Sequence, residues 1–206
     1  MTLLVDWQIR EEIEKGRLVL GNFDDSLINP SGVDFRLGRH YTKVIPLGNA
    51  FWDRSENGRL SIASKETKGG QVSPPHTLLY IDPLDKSTFR DETFEADEYY
   101  LFPGESIIVS MYEHLELPHD ISAEIKGKSS LARLFVANSA IGGFIDPSWR
   151  GTISLEITNG ASYIVKLTEK MRIGQLMLFR HEVPNKDYSE TGRYRDQAPG
   201  SGSKGV

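Results

Sequence analysis

Short apolar runs that alternate every second residue, divided by glycine and proline, constrain this chain more than any other feature. Across residues 152–158, Ile153, Leu155 and Ile157 fall on one side and Ser154, Glu156 and Thr158 on the other. That is the rhythm of a half-buried strand. Similar runs occupy 33–37, 77–81, 98–101, 106–111, 121–126, 163–167 and 173–179, with Pro103-Gly104 and Pro118 as punctuation. So many short strands predict an all-β architecture: a sandwich, a jelly roll or a small barrel. One short helix is expected near the start, where Asp6 can cap it, Ile9 and Ile13 lie one turn apart, and Lys15-Gly16 closes it.

Residues 46–86 are polar and turn-rich, with Gly69-Gly70 and Pro74-Pro75, and read as an elaborated loop region with one hairpin. That region sits inside a single expected domain spanning 1–190. Residues 191–206 lack any apolar period and read, on composition, as a frayed tail.

Composition excludes several kinds of chemistry. The 206 residues contain no cysteine, which removes disulfides, thiol nucleophiles, iron–sulfur clusters and cysteine-ligated zinc. Twenty-four Lys and Arg against 29 Asp and Glu give a net charge of −5, wrong for a nucleic-acid coat. The longest charge-free, apolar-leaning run, 134–145, is too short and too polar to span a bilayer, and Asp6 interrupts Leu3-Leu4-Val5 before any export signal could form. The expectation is a soluble cytoplasmic protein with neither nucleic-acid nor membrane partner. His40, His76, His114, His119 and His181 show no metal-ligand spacing, and no G-x-S-x-G or Ser–His signal marks a serine hydrolase.

Three segments could carry chemistry. Lys126, Lys128 and Arg133 bracket Ser129-Ser130-Leu131-Ala132 with no acid among them, a combination of cations and hydroxyls suited to an anion. A Walker loop is excluded because Ser122 stands where its first glycine is needed; a solvated basic turn remains the alternative. In Ile141-Gly142-Gly143-Phe144-Ile145-Asp146-Pro147, the glycines would let backbone approach a planar ligand, and the proline holds Asp146 in a fixed turn. Taken alone, it is equally a hairpin with a bulge. Glu156 lies mid-strand on the face opposite Leu155 and Ile157. A solvent-facing glutamate is the ordinary reading; a pocket on that face would raise its pKa and suit it to proton transfer.

In order along the chain, these segments resemble the dCTP deaminase family of the dUTPase-like superfamily. The likeness runs through 5–18, Ile28-Asn29-Pro30-Ser31-Gly32-Val33-Asp34-Phe35-Arg36-Leu37-Gly38, Tyr100 to Glu105, Leu117-Pro118 with Asp120, Gly127 to Arg133, Phe144 to Pro147, Leu155-Glu156 and Ile173-Gly174-Gln175-Leu176. Only 46–86 lacks a close match.

The resemblance implies a distorted jelly-roll, dUTPase-like β-barrel with a short N-terminal helix and small helical turns, assembled as a homotrimer with interfacial active sites. It implies zinc-independent deamination of dCTP to dUTP and ammonia, which supplies the precursor for thymidylate synthesis. The alternatives are a bifunctional form yielding dUMP, pyrophosphate and ammonia, and a non-catalytic nucleotide sensor. Glu156, Ser129 and Arg133 would be catalytic, Glu156 as base and acid. Lys128, Ser129, Ser130, Leu131, Ala132 and Arg133 would hold the triphosphate, with Mg2+ arriving on its oxygens and no protein metal site. Asp146 would meet the deoxyribose, and Gly142, Ser154, Leu155 and Glu156 the cytosine and its water. Gln175, Tyr188, Arg193 and Gln197 match nucleotide-contacting positions, which turns 191–206 into a flexible lid. Besides dCTP, dUTP and an inhibitory dTTP are implied ligands. Two departures stand out: Ile141-Gly142 replaces Thr-Ala, and Lys128 stands where many members have Arg.

Overall fold

The computed structural model describes residues 1–52, 60–62, 77–138, 142–186 and 188–204, and the chain divides into two compact units. The first comprises Met1–Thr42 and Thr93–Gly202. Its opening helix, Asp6–Glu14, begins one residue earlier than a cap at Asp6 would place it. The Val5 N–H is met instead by Gln8 Oε1 at 3.1 Å, and Gly16 ends the helix at φ 66°, the left-handed geometry a glycine adopts without strain. The helix buries Ile9 and Glu12. The Glu12 carboxylate accepts from Arg17 Nε at 2.7 Å and Arg180 Nη2 at 2.5 Å, tying the helix to the last long strand.

Among the described residues, the main sheet runs Val136–Asn138, Ser154–Asn159, Ser106–Met111, Gly32–Pro46, Arg172–Arg180, Ile121–Gly127 and Phe144–Ile145, each neighbour antiparallel to the next. The all-β expectation holds. The strand Gly32–Pro46, which belongs to the first unit as far as Thr42, joins the two halves of this curled sheet. Its Val33–Arg36 stretch pairs with Leu176–Arg172, and its Leu37–Thr42 stretch pairs with Met111–Ile108. Gly38 sits at the handover. A Cβ there would lie 2.3 Å from Ser110 Oγ, so only glycine fits between the strands. Phe35, Leu37, Val109, Leu155, Ile157, Leu176 and Leu178 fill one core, the inward half of each alternating strand.

The second unit, Lys43–Glu92 with Ser203–Val206, contains a three-stranded antiparallel sheet of Leu60–Ile62, Gly48–Trp52 and Thr77–Tyr80. The pattern predicts one hairpin there; three strands are present. The paired glycines and prolines at 69–70 and 74–75 lie outside the described residues. Val19–Gly21, His114–Glu116, Phe89–Glu95 and Val136–Asn138 are strands that the alternation does not announce, being short or largely polar.

Candidate active site

Glu156 projects from the middle of Ser154–Asn159, opposite Ile108 in the neighbouring strand. Leu155 and Ile157 point into the core, which commits Ser154, Glu156 and Thr158 to the other face. That face is open to solvent in the single chain. Even so, protein packed around the carboxyl withdraws enough water to hold the Glu156 pKa above its ordinary value of 4.5, and its own backbone N–H opposes this less strongly. A carboxyl so perturbed holds its proton more tightly than an ordinary glutamate, which suits it to taking up a proton and passing it on.

The basic segment folds as a single helical turn, Ser129–Ala132, preceded by Lys128 in extended conformation and followed by Arg133. Ser129, Ser130, Ala132 and Arg133 are exposed, whereas Leu131 packs partly against the core. Phe135, at φ 57°, turns the chain into Val136–Asn138, which pairs with the Glu156 strand so that Asn138 faces Ile157. A Cβ on Gly127 would lie 3.5 Å from Asn138 Cβ, so the start of the basic segment approaches this same pair of strands.

Lys128 has a partner that its spacing does not reveal. Its Nζ donates to both oxygens of Asp34 at 2.8 Å, across 94 residues of sequence. Asp34 is 1% exposed and also accepts from Asn29 Nδ2 at 2.8 Å and Arg172 Nη1 at 3.4 Å. Gln175 sits between Asp34 and Lys126 in the sheet register.

Two further groupings involve expected residues. Asp146 and Tyr188 line one cleft of ≈ 190 Å³ together with Pro147, Pro184 and Lys186. Burial raises the Tyr188 pKa, and its ring packs on Trp149 at 5.6 Å between centroids. Sequence reasoning misses Lys186 because nothing around it marks a site. Gln197 Nε2 donates to Ser154 Oγ at 2.7 Å, while Gly151 and Gln197 form a parallel bridge, so Gln197 lies beside residues 151–154, where the chain enters the Glu156 strand.

Other expected residues stand apart. Leu155 is buried, so its side chain serves the core and only its backbone could face a ligand. Gly142 is exposed with open space where a side chain would be, and Ile141 lies outside the described residues. Arg193 is exposed. Ser148 Oγ and His119 lie 2.7 Å apart on an exposed turn, a pairing of which the spacing gives no sign.

The family model described as dCTP deaminase-like matches residues 3–181. A protein of Methanoculleus marisnigri named "dCTP deaminase, dUMP-forming" is 36% identical over 199 residues, covering 95% of this chain and 90% of its own. A Streptomyces coelicolor protein of the same name is 35% identical, covering 96% and 90%. Among solved structures, the 2'-deoxycytidine 5'-triphosphate deaminase of Agrobacterium tumefaciens aligns with a TM-score of 0.55 at 19% identity. That alignment covers 87% of this chain and 48% of the other, so the chain spans about half that structure's length and shares its fold. No helix among the described residues is long and apolar enough to cross a membrane. With a family model covering most of its length and relatives aligned nearly end to end, the chain belongs to the dCTP deaminase-like family.

Proposed function

We propose that this protein converts dCTP and two waters to dUMP, pyrophosphate and ammonia, with Glu156 as the proton-transferring group. The observation that carries the reading is the desolvated Glu156 carboxyl on an open strand face, with Ser154 on the same face accepting from the Gln197 amide. The sequence resemblance alone implies dUTP as the product, with dUMP as the alternative. The dUMP-forming names of the relatives favour the alternative.

In the deamination, ionised Glu156 takes a proton from water as the oxygen bonds to C4 of cytosine. The carboxyl passes that proton to N3, then takes the proton of the new C4 hydroxyl and delivers it to the amino nitrogen; the C4–N bond breaks, releasing ammonia and leaving the C4 carbonyl. Ser129 and Arg133 orient the water and stabilise charge as it develops. For the second water, Asp146 is the available carboxylate, and the bond broken is that between the α-phosphorus and the pyrophosphate oxygen. Magnesium would arrive on the triphosphate: Asp34, the carboxylate bonded to Lys128, is already engaged by Lys128, Asn29 and Arg172, so phosphate oxygens rather than this acid would hold the ion. Bound there, it neutralises phosphate charge.

A homotrimer with shared sites belongs to the same reading. Leu134, Phe135, Tyr163 and Ile164 are about half or more exposed, and the Tyr163 hydroxyl donates to the Leu134 carbonyl, so these apolar groups cluster around one turn. The test is product analysis with dCTP and Mg2+. Ammonia, dUMP and pyrophosphate should appear in equal amounts. Ammonia with accumulating dUTP would instead assign deamination alone, and absence of ammonia would reject both.

A further inference from the structure

We propose that Asp34 is a positioning residue for the anion site, holding the Lys128 ammonium in place for the phosphate arm of the substrate. This rests on the reading of Lys128 as a phosphate ligand.

Asp34 is an unusual residue to find where it is. A carboxylate 1% exposed on the central strand is costly unless its charge is matched, and here one ammonium meets both oxygens. Three other features argue for placement rather than fold stability alone. The Asn29 amide donates to Oδ1 at 2.8 Å, which fixes the plane of the carboxylate before Lys128 arrives. The Lys128 side chain is 28% exposed, and an ammonium has three protons, so the two bonds to Asp34 leave one donor for an anion. Arg172, 47% exposed, shares the same Asp34 oxygen at 3.4 Å. One buried acid therefore gathers two partly exposed cations whose mutual repulsion would otherwise separate them, and the cluster keeps a net charge of +1.

Lysine makes such an anchor necessary. An arginine at 128 would bring a planar fork that orients itself on phosphate; a lysine is a point charge on a flexible stem. Two hydrogen bonds to a fixed carboxylate remove that freedom in advance, which lowers the entropy lost when an anion binds. The opposing role is also definite: an acid beside a phosphate-binding lysine could weaken binding by cancelling its charge. The two roles predict opposite signs.

Binding of inorganic tripolyphosphate, read by calorimetry, separates them and does not depend on deamination. Asp34→Asn is expected to weaken binding about tenfold. In a Lys128→Met background the same change should have an effect of no more than about twofold, because Asp34 acts through Lys128. With dCTP, Asp34→Asn should raise KM and leave kcat within about threefold. Unchanged or tighter tripolyphosphate binding overturns the proposal, as does an equal loss in the Lys128→Met background or no binding by the native protein. Should Asp34→Asn not fold, Asn29→Ala loosens the same carboxylate and keeps its charge. About threefold weaker binding is then expected, and native-like binding overturns the proposal. Native protein that binds tripolyphosphate in this Asp34-dependent way but releases no ammonia from dCTP would reject the proposed reaction and leave the anchor standing.

Discussion

Glu156→Gln is expected to slow ammonia release from dCTP by about 10³-fold, with nucleotide affinity kept within about threefold. Glutamine matches the shape of the glutamate and can still hydrogen-bond a base edge, but it cannot accept a proton from water. A residue that acts only by proton transfer should therefore lose rate and not binding. The environment adds a second expectation. Desolvation penalises the charged form of Glu156, so a neutral amide removes an unfavourable charge, and the melting temperature should stay level or rise. Single-turnover ammonia release, calorimetric binding of a non-hydrolysable dCTP analogue and a thermal melt together check the pattern. A variant that keeps more than a tenth of the native rate would place the base elsewhere.

Gly174→Ala should produce the largest loss of stability. Gly174 lies opposite Phe35 in the sheet, and an added Cβ would fall 2.1 Å from Phe35 Cζ and within 2.8 Å of two further ring carbons. The ring cannot yield easily, because Phe35 is 1% exposed and packed in the core. Overpacking at such a point costs about 3 kcal/mol, or roughly 6–12 °C in melting temperature for a chain of this size. Phe35 adjoins Asp34, so a displaced strand should also loosen the Lys128 anchor and raise the KM for dCTP. Phe35→Leu in the same chain makes room and should recover part of the loss, giving a coupling energy in a double-mutant cycle. An unchanged melting temperature for Gly174→Ala would mean that the ring does not fill this space.

Glu156 and Gly174 differ in how far the sequence alone announces their surroundings. Glu156 is legible because alternation is a local property: Ile153, Leu155 and Ile157 commit one face to the core and leave Glu156 on the other. The strands Glu98–Leu101 and Ser106–Met111 are legible for the same reason. The contact of Gly174 with Phe35 is not, since it depends on which strands pair. Nor is the polar continuation of Gly32–Pro46 through Arg39 and His40, because the pairing of Leu37, Tyr41 and Thr42 on either side of them, rather than their own pattern, keeps the strand extended. The Asp34–Lys128 pair is hidden in another way. Each residue stands in a segment that the sequence singles out, but 94 residues separate them, and only the order of strands in the sheet brings them together. Lys186 joins Asp146 and Tyr188 for a comparable reason, since the cleft is made by chain crossing and no motif surrounds it.

The pH dependence of kcat/KM for ammonia release tests the central claim most directly, because its acid limb reports the free protein's essential base. Glu156 must be ionised to act, so activity should rise with pH through the folded-state pKa of that carboxyl. Burial raises this value, and the same shift makes the protonated form the one the fold favours. Its contribution to stability is thus complete below the unfolded value and is lost as pH rises through the folded one. The limb is predicted to lie above 4.5, the ordinary glutamate value. A limb at or below 4.5, or a profile flat across the acid range, would contradict the assignment of a desolvated Glu156 as the base.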